Sequence, residues 1–170
     1  MMAGTHLILG GARSGKSRHA QSLAEAFDGA LLYIATGEAH DAEMADRISR
    51  HQADRGPRWT TREVPLALPA AIAASSTAGR LVLVDCLTLW TSNLMHAECD
   101  IEAETSALVE ALDKAAGPVI LVSNEVGLGI VPDNALARRF RDAAGRLNQA
   151  VAAAAAQVSF IAAGLPLRLK

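Results

Sequence analysis

Short apolar runs alternate with amphipathic stretches along the whole chain. The runs at 6–9, 31–35, 81–84, 119–122 and 158–162 are unbroken by charge and predict strands buried on both faces. Between them, 16–27, 41–54, 66–74, 87–95, 101–115 and 134–156 carry helical residues, the last segment long and rich in alanine. Strands alternating with helices predict an α/β fold with a mostly parallel central sheet and helices on both faces. Residues 59–64 predict a further strand, and 165–170 an edge strand closing the sheet. No repeat is present, and the alanine run at 151–156 fits close helix packing better than disorder.

With 170 residues, 51% of them hydrophobic, the chain is long enough for one compact domain spanning 1–170 and short for two. Its 16 basic and 18 acidic residues leave a net charge of -2, so nucleic acid is not an expected partner. Cys86 and Cys99 lack metal-ligand spacing and are expected to be free thiols in a reducing compartment. Residues 1–6 show no basic segment followed by a long apolar stretch, and no apolar run approaches a membrane span. The expected location is the cytoplasm.

The densest chemistry lies at Gly10-Gly11-Ala12-Arg13-Ser14-Gly15-Lys16-Ser17, which fits GxxxxGK[ST] and sits between a predicted strand and a predicted helix. Glycines let the backbone curl around an anion, so that its N–H groups and the helix N-terminus face phosphate oxygens. Lys16 would neutralise the terminal phosphates and Ser17 would offer its hydroxyl to Mg²⁺. A glycine-rich turn that happens to precede a helix is the bland alternative. The strand before the motif, the helix after it and the presence of only three lysines in the chain argue against accident. The expectation is an α/β P-loop nucleotide-binding fold of RecA-like type.

The strand at 81–84 ends in Asp85, the Walker B arrangement in which a carboxylate meets the Mg²⁺ shell. An aspartate capping the helix that follows is equally sound physically; the phosphate loop tips the balance toward the metal role. The strand at 119–122 runs into Ser123-Asn124-Glu125-Val126-Gly127-Leu128-Gly129-Ile130-Val131-Pro132, which can shape a substrate wall at a ligand-facing strand end or serve as a surface connection. Arg138, Arg139, Arg141 and Arg146 ride one helix, mostly as solvated charges or ion pairs.

In the predicted helix 41–51, Met44 and Ile48 are the buried positions and Arg47 lies one turn before His51. A neutral imidazole can attack an α-phosphate and form a covalent nucleotidyl intermediate. By residue pattern alone, a solvated or helix-capping histidine is the simpler account of His51.

Several motifs together resemble a known family. They are Gly10 to Ser17 followed by Arg18-His19-Ala20, the strand end Tyr33-Ile34-Ala35-Thr36, Asp41-x-Glu43-Met44-x-x-Arg47-Ile48-x-x-His51, Trp59, and Ser123-Asn124-Glu125-Val126-Gly127-x-Gly129-Ile130-Val131-Pro132. The segment Asn134-x-x-Ala137-Arg138-x-Phe140-Arg141-Asp142-x-x-Gly145-Arg146-x-Asn148-Gln149 extends the likeness over nearly the whole chain. The family is adenosylcobinamide kinase/adenosylcobinamide-phosphate guanylyltransferase. The resemblance implies an enzyme of cobalamin biosynthesis that phosphorylates adenosylcobinamide with ATP or GTP. It then transfers GMP from GTP to adenosylcobinamide phosphate, giving adenosylcobinamide-GDP and pyrophosphate. By the same resemblance His51 is the guanylylated nucleophile, and nucleotide contacts carry over to Gly10, Gly11, Ala12, Arg13, Ser14, Gly15, Lys16, Ser17, Ala35, Thr36, Gly37, Gln52, Ala53, Asp54, Arg55, Glu63 and Asp85. A homotrimer is also implied.

Two positions depart from the family pattern: Asp85 stands where relatives often carry glutamate, which keeps the charge, and Gly37 where serine is common, which removes a hydroxyl. Two rivals use the same phosphate loop. A single-reaction small-molecule kinase would leave His51 incidental, and a GTP-dependent switch would need an NKxD guanine-reading motif that the chain lacks.

Overall fold

In a computed structural model the described residues are 4–37 and 56–170, and they build one seven-stranded sheet ordered β3-β2-β4-β5-β1-β6-β7. The strands are β1 (Thr5–Gly10), β2 (Ala30–Ala35), β3 (Trp59–Glu63), β4 (Arg80–Asp85), β5 (Val119–Asn124), β6 (Gln157–Ala162) and β7 (Leu165–Arg168). Every neighbouring pair is parallel except β6 with β7, which form an antiparallel hairpin. The described helices are α1 (Lys16–Glu25), α2 (Leu68–Ser75), α3 (Leu87–His96), α4 (Ile101–Asp113) and α5 (Ala135–Ala154). The predicted helix 41–54 lies outside the described residues. The strands expected at 59–64 and 165–170 form at 59–63 and 165–168, at opposite edges of the sheet.

Strand alternation distributes the core between two faces. On β1, Leu7 and Leu9 join the larger apolar cluster with Leu68, Ile72, Trp90, Leu94, Leu108 and Leu147, whereas Ile8 faces Ala20, Ala24, Ile120 and Val122. Thus α1 covers one face, and residues of α2, α3, α4 and α5 pack into the core on the other. Each inner strand is buried on both sides, which is why its sequence reads as an unbroken apolar run rather than an alternation.

Helix boundaries follow local chemistry. The segment expected at 66–74 becomes helical only at Leu68, with Pro69 in its first turn, where a missing N–H costs no intrahelical bond. Asp100 accepts from the amides of Glu102 and Ala103 at the start of α4, and Asn134 accepts from Ala137 at the start of α5. The ammonium of Lys170 donates to the carbonyls of Ala152 (3.2 Å) and Ala153 (2.9 Å), meeting acceptors that α5 leaves unpaired at its end.

His6 is a buried polar residue within β1, its Nε2 2.9 Å from Ser159 Oγ, while its Nδ1 has no partner among the described residues. Burial first, and then the His19 and Arg168 side chains, lower its pKa from 6.5. A folded-state pKa below the unfolded one means that the stability owed to neutral His6 is full above the unfolded value and is lost as pH falls through the folded value. His6→Gln is therefore expected to flatten the decline of the urea midpoint as pH falls below 6.5. An equally steep acid decline in the variant would remove His6 from the account.

Candidate active site

Because β1 to β5 all run parallel, their carboxyl ends share one edge of the sheet, where Gly10, Ala35, Glu63, Asp85 and Asn124 terminate their strands. The phosphate loop leaves β1 at that edge. Gly10 is required there, since a Cβ would lie 2.5 Å from Ser14 Oγ and 2.7 Å from the Ile161 carbonyl. Gly15 has φ +96°, which glycine adopts without strain, and it directly precedes Lys16, the first residue of α1. Among the described residues no side chain caps this helix, and no acidic residue lies in its first turn, so its leading amides face the concavity of the loop.

Lys16 is buried and its ammonium donates to the Gly11 carbonyl at 3.0 Å, lying back across the loop. Ser14 Oγ is buried without a hydrogen-bond partner among the described residues, a polar atom that a phosphate oxygen would satisfy. From the far side the β6–β7 turn supports the loop. Gly164 N–H donates to the Ser14 carbonyl at 2.8 Å, and a Cβ on Gly15 would lie 3.2 Å from Gly164 Cα.

Asp85 at the end of β4 is half-buried, and Tyr33 from β2 donates its hydroxyl to Asp85 Oδ2 at 3.2 Å. Trp59 meets the Tyr33 ring edge-on, with centroids 6.4 Å apart, and so limits where that hydroxyl can point. Thr36 locks the adjoining turn. Its hydroxyl donates to the Cys86 carbonyl (2.7 Å) and accepts from the Cys86 amide (2.9 Å), its amide donates to the Asp85 carbonyl (3.3 Å), and its own carbonyl accepts from Asn93 (2.7 Å). With every polar group of Thr36 engaged inside the chain, it fixes the backbone beside Asp85. The buried Cys86 thiol is pushed up to about 11 by desolvation and by the Asp85 charge, so it stays protonated and is no nucleophile near neutral pH.

β5 lies between the strands of the loop and of Asp85, with Gly10 opposite Asn124 and Asp85 opposite Val122. Two strand spacings put the ends of β1 and β4 about 10 Å apart, room for phosphates between loop and carboxylate. The end of β5 is held by a buried polar network. Ser123 donates to Asn148 Oδ1 (2.7 Å), Asn148 donates to the Asn124 carbonyl (3.2 Å), and the Asn124 amide donates to Thr88 (2.7 Å). The Glu125 amide then donates to the Gly10 carbonyl at 3.1 Å, tying this strand end to the phosphate loop.

The fold thus gathers Gly10, Gly11, Ala12, Arg13, Ser14, Gly15, Lys16, Ser17, Ala35, Thr36, Gly37 and Asp85 at one end of the sheet. Glu63 is on the same edge but four strands from β1, about 19 Å away by strand spacing. It borders an open crevice of about 500 Å³ lined by Arg62, Glu63, Val64, Pro65, Leu66 and the outer face of α2. His51, Gln52, Ala53, Asp54 and Arg55 lie outside the described residues. Sequence reasoning gave Tyr33 and Asn148 no role beyond membership of a motif and passed over Thr88 and Gly164. Of these only Asn148 left a signal, a polar side chain within the apolar stripe of Ala144, Leu147 and Val151; the others act through partners far away in sequence.

A family model described as cobinamide kinase/cobinamide phosphate guanyltransferase matches residues 6–169. The Pseudomonas aeruginosa bifunctional adenosylcobalamin biosynthesis protein CobP is 52% identical over 168 residues, covering 96% of each chain. The Salmonella typhimurium protein CobU, bifunctional by the same description, is 41% identical over 179 residues, covering 96% of this chain and 98% of its own. Among solved structures, a Pyrococcus horikoshii OT3 protein aligns over 98% of this chain and 86% of its own with TM-score 0.55 and 6% identity, a likeness of fold alone.

Proposed function

The chain belongs to the cobinamide kinase/cobinamide phosphate guanyltransferase family, and from that premise we propose how its residues divide the two reactions. It is a bifunctional enzyme of cobalamin biosynthesis, with cobinamide kinase and cobinamide phosphate guanylyltransferase activities on one chain. The observation that carries the assignment of residues is the phosphate loop facing Asp85 across the end of β5.

In the kinase reaction the loop amides and Lys16 grip the β- and γ-phosphates of ATP or GTP. The hydroxyl oxygen of adenosylcobinamide attacks the γ-phosphorus, the bond to the β–γ bridging oxygen breaks, the nucleoside diphosphate leaves and the hydroxyl proton is released. The chain supplies position and positive charge, with no protein nucleophile needed.

Ser17 and Asp85 offer a hydroxyl and a carboxylate, hard oxygen donors that suit Mg²⁺. Among the described residues no group of three or more His, Cys, Asp and Glu could hold a metal, so phosphate oxygens and water would complete the shell, as the small octahedral cation prefers. Bound there, Mg²⁺ would offset phosphate charge. Tyr33 keeps one Asp85 oxygen engaged.

In the transfer reaction a His51 ring nitrogen attacks the α-phosphorus of GTP and the α–β bond breaks, releasing pyrophosphate. An oxygen of adenosylcobinamide phosphate then attacks the same phosphorus, the N–P bond breaks, and adenosylcobinamide-GDP forms. Glu63, a carboxylate, would accept from the guanine N1–H and amino group, with Ala35, Thr36, Gly37, Gln52, Ala53, Asp54 and Arg55 completing the nucleotide contacts. Both reactions belong in the cytoplasm, in keeping with the free thiols Cys86 and Cys99. Among the described residues no helix is long and apolar enough to cross a membrane. The enzyme assembles as a homotrimer; Leu165 and Leu167, exposed on the edge strand β7, form a surface that self-association would cover.

The deciding experiment uses the purified enzyme and GTP labelled at the α-phosphate. Label is expected on the protein, lost in acid and retained in base, as a phosphoramidate requires, and chased off by adenosylcobinamide phosphate. Label that resists acid, or no label in an enzyme that turns over, would rule out the histidine intermediate.

A further inference from the structure

The segment joining β5 to α5 carries Leu128, Ile130, Val131 and, at the start of α5, Leu136 at 83%, 98%, 63% and 60% exposure. Four large apolar side chains this exposed within nine residues are unusual for a surface that water alone meets. Hydrogen bonds fix the segment at both ends. Glu125 Oε1 accepts from the Gly127 amide at 2.5 Å, the Arg138 guanidinium donates to the carbonyls of Pro132 and Asp133 at 2.8 Å each, and Asn134 caps α5.

Its position ties it to the transfer site. Asn124 lies opposite Gly10 and the Glu125 amide is bonded to the Gly10 carbonyl, so the segment departs from the rim of the phosphate loop. Three residues of chain keep the Leu128 Cα within roughly 11 Å of Glu125, and five keep Ile130 within roughly 18 Å.

We infer that Leu128, Ile130, Val131 and Leu136 form the platform on which the corrin ring of the acceptor rests while its arm reaches the phosphate loop. This rests on the enzyme acting on cobinamide, as its family does. A corrinoid is a broad macrocycle with methyl groups on its faces and carboxamides around its rim. The hydroxyl that takes the phosphate sits on a short side arm, so the ring must lie within that arm's length of the nucleotide. An apolar patch at the rim of the loop meets both demands: it covers a methyl-bearing face and leaves the rim amides in water. The exposed leucines of β7 lie on an edge strand that leaves the Gly164 turn behind the loop; only Leu165 starts near the loop, and the strand then runs toward the other end of the sheet.

The test compares wild type with Leu128→Ser/Ile130→Ser and, separately, Val131→Ser/Leu136→Ser. KM is measured for adenosylcobinamide and for ATP, cobinamide binding by equilibrium dialysis without nucleotide, and assembly by sedimentation velocity. Losing an apolar side chain that is covered on binding weakens affinity by roughly tenfold. The corrinoid KM and dissociation constant should therefore rise at least tenfold in each double variant, with the ATP KM within twofold of wild type and sedimentation unchanged. A corrinoid affinity within twofold of wild type in both variants would overturn the platform. So would a lower sedimentation coefficient in either, which would make the patch a contact between subunits. A wild-type enzyme that failed to phosphorylate adenosylcobinamide would instead strike at the functional assignment, and the platform would fall with it.

Discussion

Lys16→Ala is expected to lower kcat/KM by roughly 10²–10³-fold in both the kinase and the guanylyl-transfer reaction, the loss typical when a preorganised electrostatic donor is removed from a transition state. Both reactions cleave a phosphoanhydride of a bound triphosphate, and the same loop must anchor that triphosphate in each. The ammonium at the first position of α1 is held against the Gly11 carbonyl, within the loop that a phosphate would occupy. Turning it toward phosphate exchanges a bond to a neutral carbonyl for bonds in which both partners are charged. Steady-state kinetics of each reaction, with thermal melting to show that the fold survives, gives the measurement. A Lys16→Ala enzyme with normal guanylyl transfer would mean that the second triphosphate binds elsewhere.

His51→Ala separates the reactions instead of weakening both. Guanylyl transfer should fall on the order of 10⁴-fold or more, the scale seen when a covalent nucleophile is deleted, and protein labelling by α-phosphate-labelled GTP should vanish. Phosphorylation of adenosylcobinamide should stay within a few-fold of wild type, because attack on the γ-phosphorus by a substrate hydroxyl uses no protein nucleophile. Equal retention of both activities would exclude His51 as the nucleophile, and equal loss of both would make it a structural residue of the shared nucleotide site. Adding free imidazole gives a further check, since a small nucleophile entering the vacated space should restore part of the transfer in His51→Ala and none in Lys16→Ala.

Local pattern carried much of the fold. Strands buried on both faces must be apolar throughout, and helices crossing between parallel strands must be amphipathic, so β1, β2, β4, β5 and β6 were legible as short apolar runs between helical segments. The start of the helix expected at 66–74 moved to Leu68, where a proline enters the first turn, whereas α1 starts at Lys16 as expected. The phosphate loop was legible because its chemistry is confined to eight consecutive residues. The apolar loop from Leu128 to Val131 could be read as a substrate wall or a surface connection, and its exposure is a property of the folded surface.

The sequence by itself determined the chemistry available: a loop with glycine where a side chain would collide, one lysine at the start of a helix, a carboxylate at a strand end, and the family to which these belong. Tertiary structure decided which of these groups meet. The order β2-β4-β5-β1-β6 interposes Asn124 between the loop and Asp85, brings Tyr33 to Asp85 across 52 positions of chain, and sets the Gly164 turn beneath Ser14. The physical reason is the range of the interactions. Helix periodicity and turn geometry are settled within a few residues, whereas strand order and the hydrogen bonds that aim a catalytic carboxylate come from burying a shared core, to which distant segments contribute together.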